Sequence, residues 1–329
     1  MTTLGIVGAG NWGRNHIRIA LELRNEGLVD EVWVCDADPS RLSAWEGKAH
    51  TATDLHGLLA GRPDAAIVAT PADTHAAVSR DLLRAGVHIL VEKPMTVLAS
   101  DARDLLAEAS SKHLVLMPGH IFRYHPAIGE LRERISRGQF GDLLFLNTVR
   151  TAFSPPRRDV GVLYSLGIHE ADLYPYLLGV DYPLEARAHV GGFVRAGIEG
   201  VASLGFRFEG GCEGFAFESW LSPGAVKQRR LTVVGTKGAA EVDYQDTRGL
   251  RTWETSTDPG DPEAFQEGKA VTVPIATVEP LRAEVEDFLR TATGGGKHRP
   301  RVDGTAGLRA VEIIESLVAK GSFVRPRGP

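Results

Sequence analysis

The stretch Leu4-Gly5-Ile6-Val7-Gly8-Ala9-Gly10-Asn11-Trp12-Gly13 decides how the first third of the chain folds. A short apolar run ends on three glycines spaced Gly-x-Gly-x-x-Gly. Ile17, Ala20, Leu21 and Leu23 then recur at roughly helical spacing. Val32-Trp33-Val34-Cys35 follows, rich in strand formers, and closes on Asp36, 23 residues past the last glycine. Strand, glycine turn, helix and strand with a terminal acid is the arrangement that cradles a dinucleotide. Gly8 permits the tight turn, Gly10 lets backbone approach a pyrophosphate, and Gly13 lets the helix pack closely on the strand. The unpaired N–H groups at the helix start, with Asn11 and Trp12 in the turn, are expected at the phosphates. Asp36 is expected to accept from the adenosine ribose hydroxyls and to repel a 2′-phosphate. NAD is therefore favoured over NADP; nearby Arg41, a further cofactor contact, keeps NADP as the lesser alternative.

The alternation continues. Leu55 to Leu59 reads as a short helix, and Ala65 to Thr70 as a parallel strand buried on both faces. Thr74 to Ala85 reads as a helix with Gly86 at its end, and Val87 to Val91 as a strand closed by Glu92-Lys93-Pro94. A helix over Ser100 to Ala109 and a strand over Leu114 to Met117 complete a doubly wound parallel sheet. Past residues 118–122 the rhythm changes. Strands at Leu143–Thr151, Leu184–Val190, Val201–Phe208, Glu213–Trp220 and Arg230–Val234 come with few helices between the later ones. That order predicts an α+β domain on a mostly antiparallel open sheet. Helices are expected at Ala127–Arg137, Gly167–Leu178, Glu279–Thr291 and Thr305–Ala319, and surface loops at Thr255–Gly268 and Gly294-Gly295-Gly296. The expected division is 1–120 for the dinucleotide and 121–329 for substrate and oligomerisation.

Composition excludes several classes. The chain has 329 residues, 43% hydrophobic, enough for two modest domains. Its 37 Lys and Arg against 42 Asp and Glu give a net charge of -5 with no basic block, which argues against a nucleic-acid partner. Cys35 and Cys212 stand far apart, without metal or redox spacing. No uncharged run is long enough to span a bilayer, and the first strand begins without a leader, so no membrane partner and a cytoplasmic location are expected.

Further motifs carry a resemblance. Thr70-Pro71 with His75, the run His88-Ile89-Leu90-Val91-Glu92-Lys93-Pro94, Gly167-Ile168-His169-x-x-Asp172 and Val234-Gly235-Thr236-Lys237-Gly238 join the glycine loop. Together they resemble the glucose-fructose oxidoreductase / inositol dehydrogenase family of NAD(P)-dependent oxidoreductases, over nearly the whole chain. Gly119-His120-x-x-Arg123-Tyr124-x-Pro126 and Pro155-Pro156-Arg157-x-Asp159-Val160-Gly161-Val162 resemble the branch that oxidises UDP-linked N-acetyl amino sugars at the 3-position. The resemblance implies two domains, with a sugar or cyclitol between the nicotinamide and the second sheet, and assembly through that sheet as a homodimer or homotetramer. It makes Lys93 the contact to the reacting hydroxyl and His169 the catalytic histidine. Glu92, Pro94, Thr70, Pro71 and His75 become cofactor contacts. Asp172 is the acid one helical turn past the histidine, and Ser165 stands where many relatives carry Asp.

The residues themselves agree with that chemistry. His169 and Asp172 share a helix face, and a histidine is suited to taking a hydroxyl proton near neutral pH. Two residues at this spacing do not make a metal site, and none is expected. Arg123, Arg157 and Arg158 suit a substrate diphosphate, and Tyr124 a uracil or sugar face. The leading expectation is an NAD-dependent sugar dehydrogenase, with a UDP-linked amino sugar oxidised at C3. Alternatives are a free-cyclitol or inositol dehydrogenase, an enzyme that retains NAD without net redox (isomerase or glycosidase type), a reductase of imines, and a non-catalytic NAD sensor.

Overall fold

The computed structural model describes residues 2–224, 227–245, 249–258 and 261–325. Its packing divides the chain into two compact units, 1–121 with 279–311, and 122–278 with 312–329. The division expected from sequence, 1–120 and 121–329, assigns 279–311 to the second unit. Residues 280–293 instead pack on the first helix and the fifth strand, so the chain returns to complete the first unit.

In the first unit, β1 (Thr3–Val7), α1 (Gly13–Asn25), β2 (Glu31–Cys35), β3 (His50–Ala52), α2 (Leu55–Ala60), β4 (Ala65–Val68), α3 (His75–Arg84), β5 (His88–Glu92), α4 (Ala99–Ser111) and β6 (Leu116–Gly119) follow in order. The six strands are all parallel and lie in the order β3-β2-β1-β4-β5-β6. Chain direction across the sheet reverses between β1 and β4, which opens a ligand crevice at their carboxyl ends. Ala65, Ala66, Ile67 and Val68 of β4 are all buried, as a strand covered on both faces requires. α1 buries His16, Ile17, Ile19, Ala20 and Leu23. Gly86, at φ +85°, follows α3 and returns its N–H to the Leu83 carbonyl, the expected stop.

The second unit holds α5 (Pro126–Ser136), β7 (Leu143–Thr151), α6 (Ile168–Leu178), β8 (Glu185–Gly191), β9 (Val201–Arg207), β10 (Glu213–Ser219), β11 (Arg229–Gly235), β12 (Gly238–Asp243), β13 (Leu250–Asp258), β14 (Asp261–Glu267) and β15 (Val271–Val273). α7 (Pro280–Thr293) belongs to the first unit, the division falls within α8 (Gly304–Lys320), and β16 (Ser322–Val324) closes the second. Among the described residues the sheet has ten strands, in the order β14-β13-β12-β11-β7-β10-β9-β8-β16, with β15 on β13. Only the β7–β10 pair is parallel, so the sheet is mostly antiparallel, as expected. Thr255–Gly268, expected as a loop, is instead most of a hairpin between β13 and β14; residues 259–260 of that stretch lie outside the described residues. Its polar composition is that of an edge ribbon with little to bury.

The two faces of this sheet differ. Leu146, Thr148, Arg150, Ala216, Leu231 and Val233 are buried on one face. Phe215 and Phe217 of β10 stand on the other, 43% and 41% exposed, with the Phe145 ring 6.4 Å from that of Phe215.

The closest backbone approach in the first unit is at Gly13. A Cβ there would lie 1.8 Å from the Gly8 carbonyl oxygen, and one on Gly8, at φ +101°, 2.6 Å from the Ala69 oxygen. Gly13→Ala must push α1 off the end of β1. The expected loss is about 3 kcal/mol or more, read as a fall in thermal or urea midpoint. An unchanged midpoint contradicts this packing.

Candidate active site

In the first unit the carboxyl ends of β1, β2, β4 and β5 carry the expected cofactor residues. Gly10 differs from the other two loop glycines. A Cβ on it would meet only the Arg41 Nη1, at 3.9 Å, and otherwise open space. The fold's own packing therefore does not demand glycine there, and the open space fits a pyrophosphate. Asp36 closes β2, buried. Its Oδ2 accepts from the Ala9 N–H at 2.8 Å and its Oδ1 from the Asp38 N–H at 2.9 Å. Arg41 lies 3.5 Å from Asp36 and 3.4 Å from Asp38, so its charge is drawn to these acids. This loop and carboxylate fit NAD. Asn11 is exposed, and Trp12 is 43% exposed at the start of α1.

Thr70 and Pro71 follow β4, and the Thr74 hydroxyl donates to the Pro71 carbonyl at 2.7 Å. His75 is buried, with Nδ1 2.8 Å from the Pro94 oxygen and Nε2 2.9 Å from the Thr70 oxygen. Its ring holds the β4 loop to the Lys93-Pro94 turn, a bracing task where a direct cofactor contact was expected. The Lys93–Pro94 peptide is cis. Glu92 also turns inward. Its Oε1 accepts from the Trp12 indole N–H and from His16 Nε2, the latter at 2.7 Å, and its Oε2 from the Lys93 backbone N–H at 3.2 Å. Burial pushes this carboxyl up. The bond from His16, the charge of Lys93 and the bond from Trp12 outweigh burial and hold it below the usual carboxylate range.

In the second unit α6 carries His169. It is preceded by a π-helical turn over Leu163–Gly167, which contains Ser165. Such turns recur at functional sites. The carboxylate of Glu199 accepts from the Leu163 N–H at 3.1 Å, and the Glu199 carbonyl from the Val162 N–H at 2.9 Å. His169 is buried, and its ring meets Phe122 edge to face with centroids 4.6 Å apart. Asp172 accepts a fork from Arg123, Nε to Oδ2 at 3.0 Å and Nη2 to Oδ1 at 2.5 Å. Arg123 also stacks on Tyr176, 4.5 Å from its centroid. Its guanidinium, expected at a substrate phosphate, is thus committed to Asp172. Tyr124, expected to stack on a base, is only 3% exposed. Arg157 pairs with Asp159 through both nitrogens of its fork, and Arg158 is exposed.

Next to His169, Glu170 points into the core and accepts from Arg150 Nε at 2.8 Å. Arg150 is fully buried, 4.2 Å from the Phe122 centroid and 4.7 Å from that of Tyr244. Burial lowers Arg150, but the charges of Glu170, Tyr244 and Glu218 and the bond to Glu170 together more than offset it. Burial and Glu170 push the Glu218 carboxyl well above the usual range. His16 contacts Glu92, Phe122 contacts His169, and Arg150 stands behind Phe122; sequence reasoning missed all three. A histidine among the apolar positions of α1, one turn past Trp12, was the available signal for the first; the other two gave none.

Among the described residues no group of three or more His, Cys, Asp or Glu is placed to hold a metal ion. Burial raises the Cys35 and Cys212 thiols to about 11, far from a reactive thiolate. No helix among the described residues is long and apolar enough to cross a membrane.

A parallel sheet with an open glycine loop, a terminal acid and a lysine turn defines a nicotinamide-dependent oxidoreductase. Residues 2–120 match the oxidoreductase family with an NAD-binding Rossmann fold, GFO_IDH_MocA, and residues 128–241 match the GFO/IDH/MocA C-terminal domain. The chain is 33% identical over 328 residues to a UDP-N-acetylglucosamine 3-dehydrogenase of Acidithiobacillus ferrooxidans, covering 98% of each. It is 29% identical over 332 residues to the rhizopine catabolism protein MocA of Rhizobium meliloti, covering 96% of this chain and 95% of that one. A solved structure of UDP-N-acetylglucosamine 3-dehydrogenase GnnA from Acidithiobacillus ferrooxidans superposes with a TM-score of 0.79 at 28% identity, over 97% of this chain and 96% of that one. The chain belongs to the GFO/IDH/MocA family and is an NAD-dependent hydride-transfer oxidoreductase.

Gly10→Ala tests the cofactor reading, because its Cβ meets open space. The expected outcome is an unchanged thermal midpoint with NAD affinity lowered about tenfold or more by calorimetric titration. Full NAD affinity in this variant contradicts a pyrophosphate over Gly10.

Proposed function

We propose that this chain oxidises a ring hydroxyl of a nucleotide-linked sugar, with UDP-N-acetylglucosamine oxidised at C3 as the leading substrate. What carries the reading is full-length likeness to the UDP-N-acetylglucosamine 3-dehydrogenase, 33% identical over 98% of both chains. Two features support it, the lysine turn in the first unit and the helix histidine in the second.

NAD, when bound, supplies the hydride acceptor. The alcohol carbon gives up a hydride and its oxygen a proton, which leaves the protein one proton to move. We assign that proton to His169, and to Lys93 the hydrogen bond that holds the reacting oxygen. Ser165, four residues before His169 in the π-helical turn, carries a hydroxyl, which adds no full charge. Phe122 sets the His169 ring from the side, and the Arg123–Asp172 fork steadies α6 one turn further on. With Arg123 committed to Asp172 and Arg157 to Asp159, exposed Arg158 is the cation assigned to a substrate diphosphate.

The experiment incubates the protein with NAD and UDP-N-acetylglucosamine and follows NADH absorbance against ketosugar by mass spectrometry. The expected outcome is one NADH per ketosugar. His169→Ala and Lys93→Met are each expected to lower kcat about a hundredfold or more while leaving NAD binding in place. Sugar conversion without free NADH overturns net dehydrogenation in favour of a retained cofactor. NAD binding with no turnover on any sugar overturns catalysis.

We also propose that the open face of the second sheet pairs two copies of this chain. Phe215, Phe217 and Phe145 form an apolar cluster on it, flanked by polar strands. Light scattering after gel filtration is expected to give twice 35.5 kDa, and the double substitution Phe215→Glu, Phe217→Glu to give the monomer. A native monomer contradicts this.

A further inference from the structure

Glu92 takes its hydrogen bonds from three places in the sequence. Trp12 belongs to the glycine loop, His16 to the first turn of α1, and the Lys93 amide to the lysine turn itself. Gly119 stands beside the carboxylate, where an added Cβ would lie 3.3 Å from its Oε2, so glycine leaves this oxygen its place. His16 is wholly buried, and its Nδ1 has no hydrogen-bond partner. Such an uncompensated ring nitrogen is costly, and a leucine at this position of α1 would avoid it. The histidine is therefore present for its other nitrogen, which faces Glu92 at 2.7 Å. One buried carboxylate thus fixes the loop expected at the pyrophosphate and the backbone amide of the lysine expected at the reacting oxygen.

We propose that His16 is a positioning residue for Lys93, acting through Glu92, with Trp12 holding the same carboxylate oxygen from the glycine loop. This rests on the reading that Lys93 contacts the reacting hydroxyl. A Glu92 that has lost His16 has one donor fewer on Oε1 and swings with its own backbone. Lys93 begins at the next residue, so its ammonium is displaced from the reacting oxygen. Misplacement of that kind lowers the chemical step and leaves cofactor affinity nearly intact.

The test measures kcat, the sugar KM and NAD affinity for His16→Leu, His16→Gln, Lys93→Met and the double variant His16→Leu, Lys93→Met. His16→Leu is expected to lower kcat about tenfold or more, with NAD affinity and sugar KM within about threefold. His16→Gln keeps an N–H donor within reach of Glu92 and is expected to restore most of the rate. The double variant is expected to be no slower than Lys93→Met alone, because both changes act on one group. A kcat unchanged in His16→Leu, or a double variant slowed by the full product of both effects, overturns the proposal. If His16→Leu yields no folded protein, isosteric Glu92→Gln takes its place in the same cycle, with the same expected and contradicting results. Lys93→Met that turns over normally overturns the assignment of Lys93 instead, and is read separately from the His16 result.

Discussion

A Cβ on Gly13 would sit 1.8 Å from the carbonyl oxygen of Gly8, so α1 lies against the end of β1 at a distance only glycine permits. Much of the first unit's site follows from that approach. It aims the unpaired N–H groups of α1 along the loop, where an anion is stabilised by the helix dipole. It also sets Trp12 and His16 beside β5, two strands away in the sheet, where Glu92 receives them both. The glycines therefore do two different things. Gly8 and Gly13 serve the chain's own packing, while Gly10 leaves space for a ligand.

The second unit uses another device to hold its histidine. α6 is buried on nearly every side, which suits a helix that must not shift. Phe122 and Arg123 are adjacent in sequence and engage His169 and Asp172, three apart on α6. Behind them Arg150 and Glu170 form a buried ion pair. Such pairs add little stability over an apolar replacement but leave a costly orphan if one partner is removed. Their effect is to fix a geometry, here that of Phe122 and Tyr244 stacked on the guanidinium.

The parallel sheet was legible because its signals are local. Glycine spacing, an acid at the end of β2 and the unbroken apolar run of β4 lie within short windows. The antiparallel unit was legible as strands in succession, but the β13–β14 hairpin was not, since a polar ribbon at the end of a sheet lacks the alternation that marks a half-buried face. Partners across long sequence separations stayed hidden. Arg123 reads as a free cation until Asp172, 49 residues on, takes its fork. Glu92 reads as a cofactor ligand until His16, 76 residues earlier, is seen against it. α7 reads as part of the second unit because nothing in its own residues records the return to the first.

This chain moves a hydride from a sugar ring carbon to the cofactor. That transfer is tested most directly with UDP-N-acetylglucosamine deuterated at C3 and unlabelled NAD. The reduced cofactor is expected to carry the deuterium and to be one mass unit heavier by mass spectrometry, with the ketosugar unlabelled. Deuterium kept in the sugar product, or lost to water with the cofactor unlabelled, would contradict it.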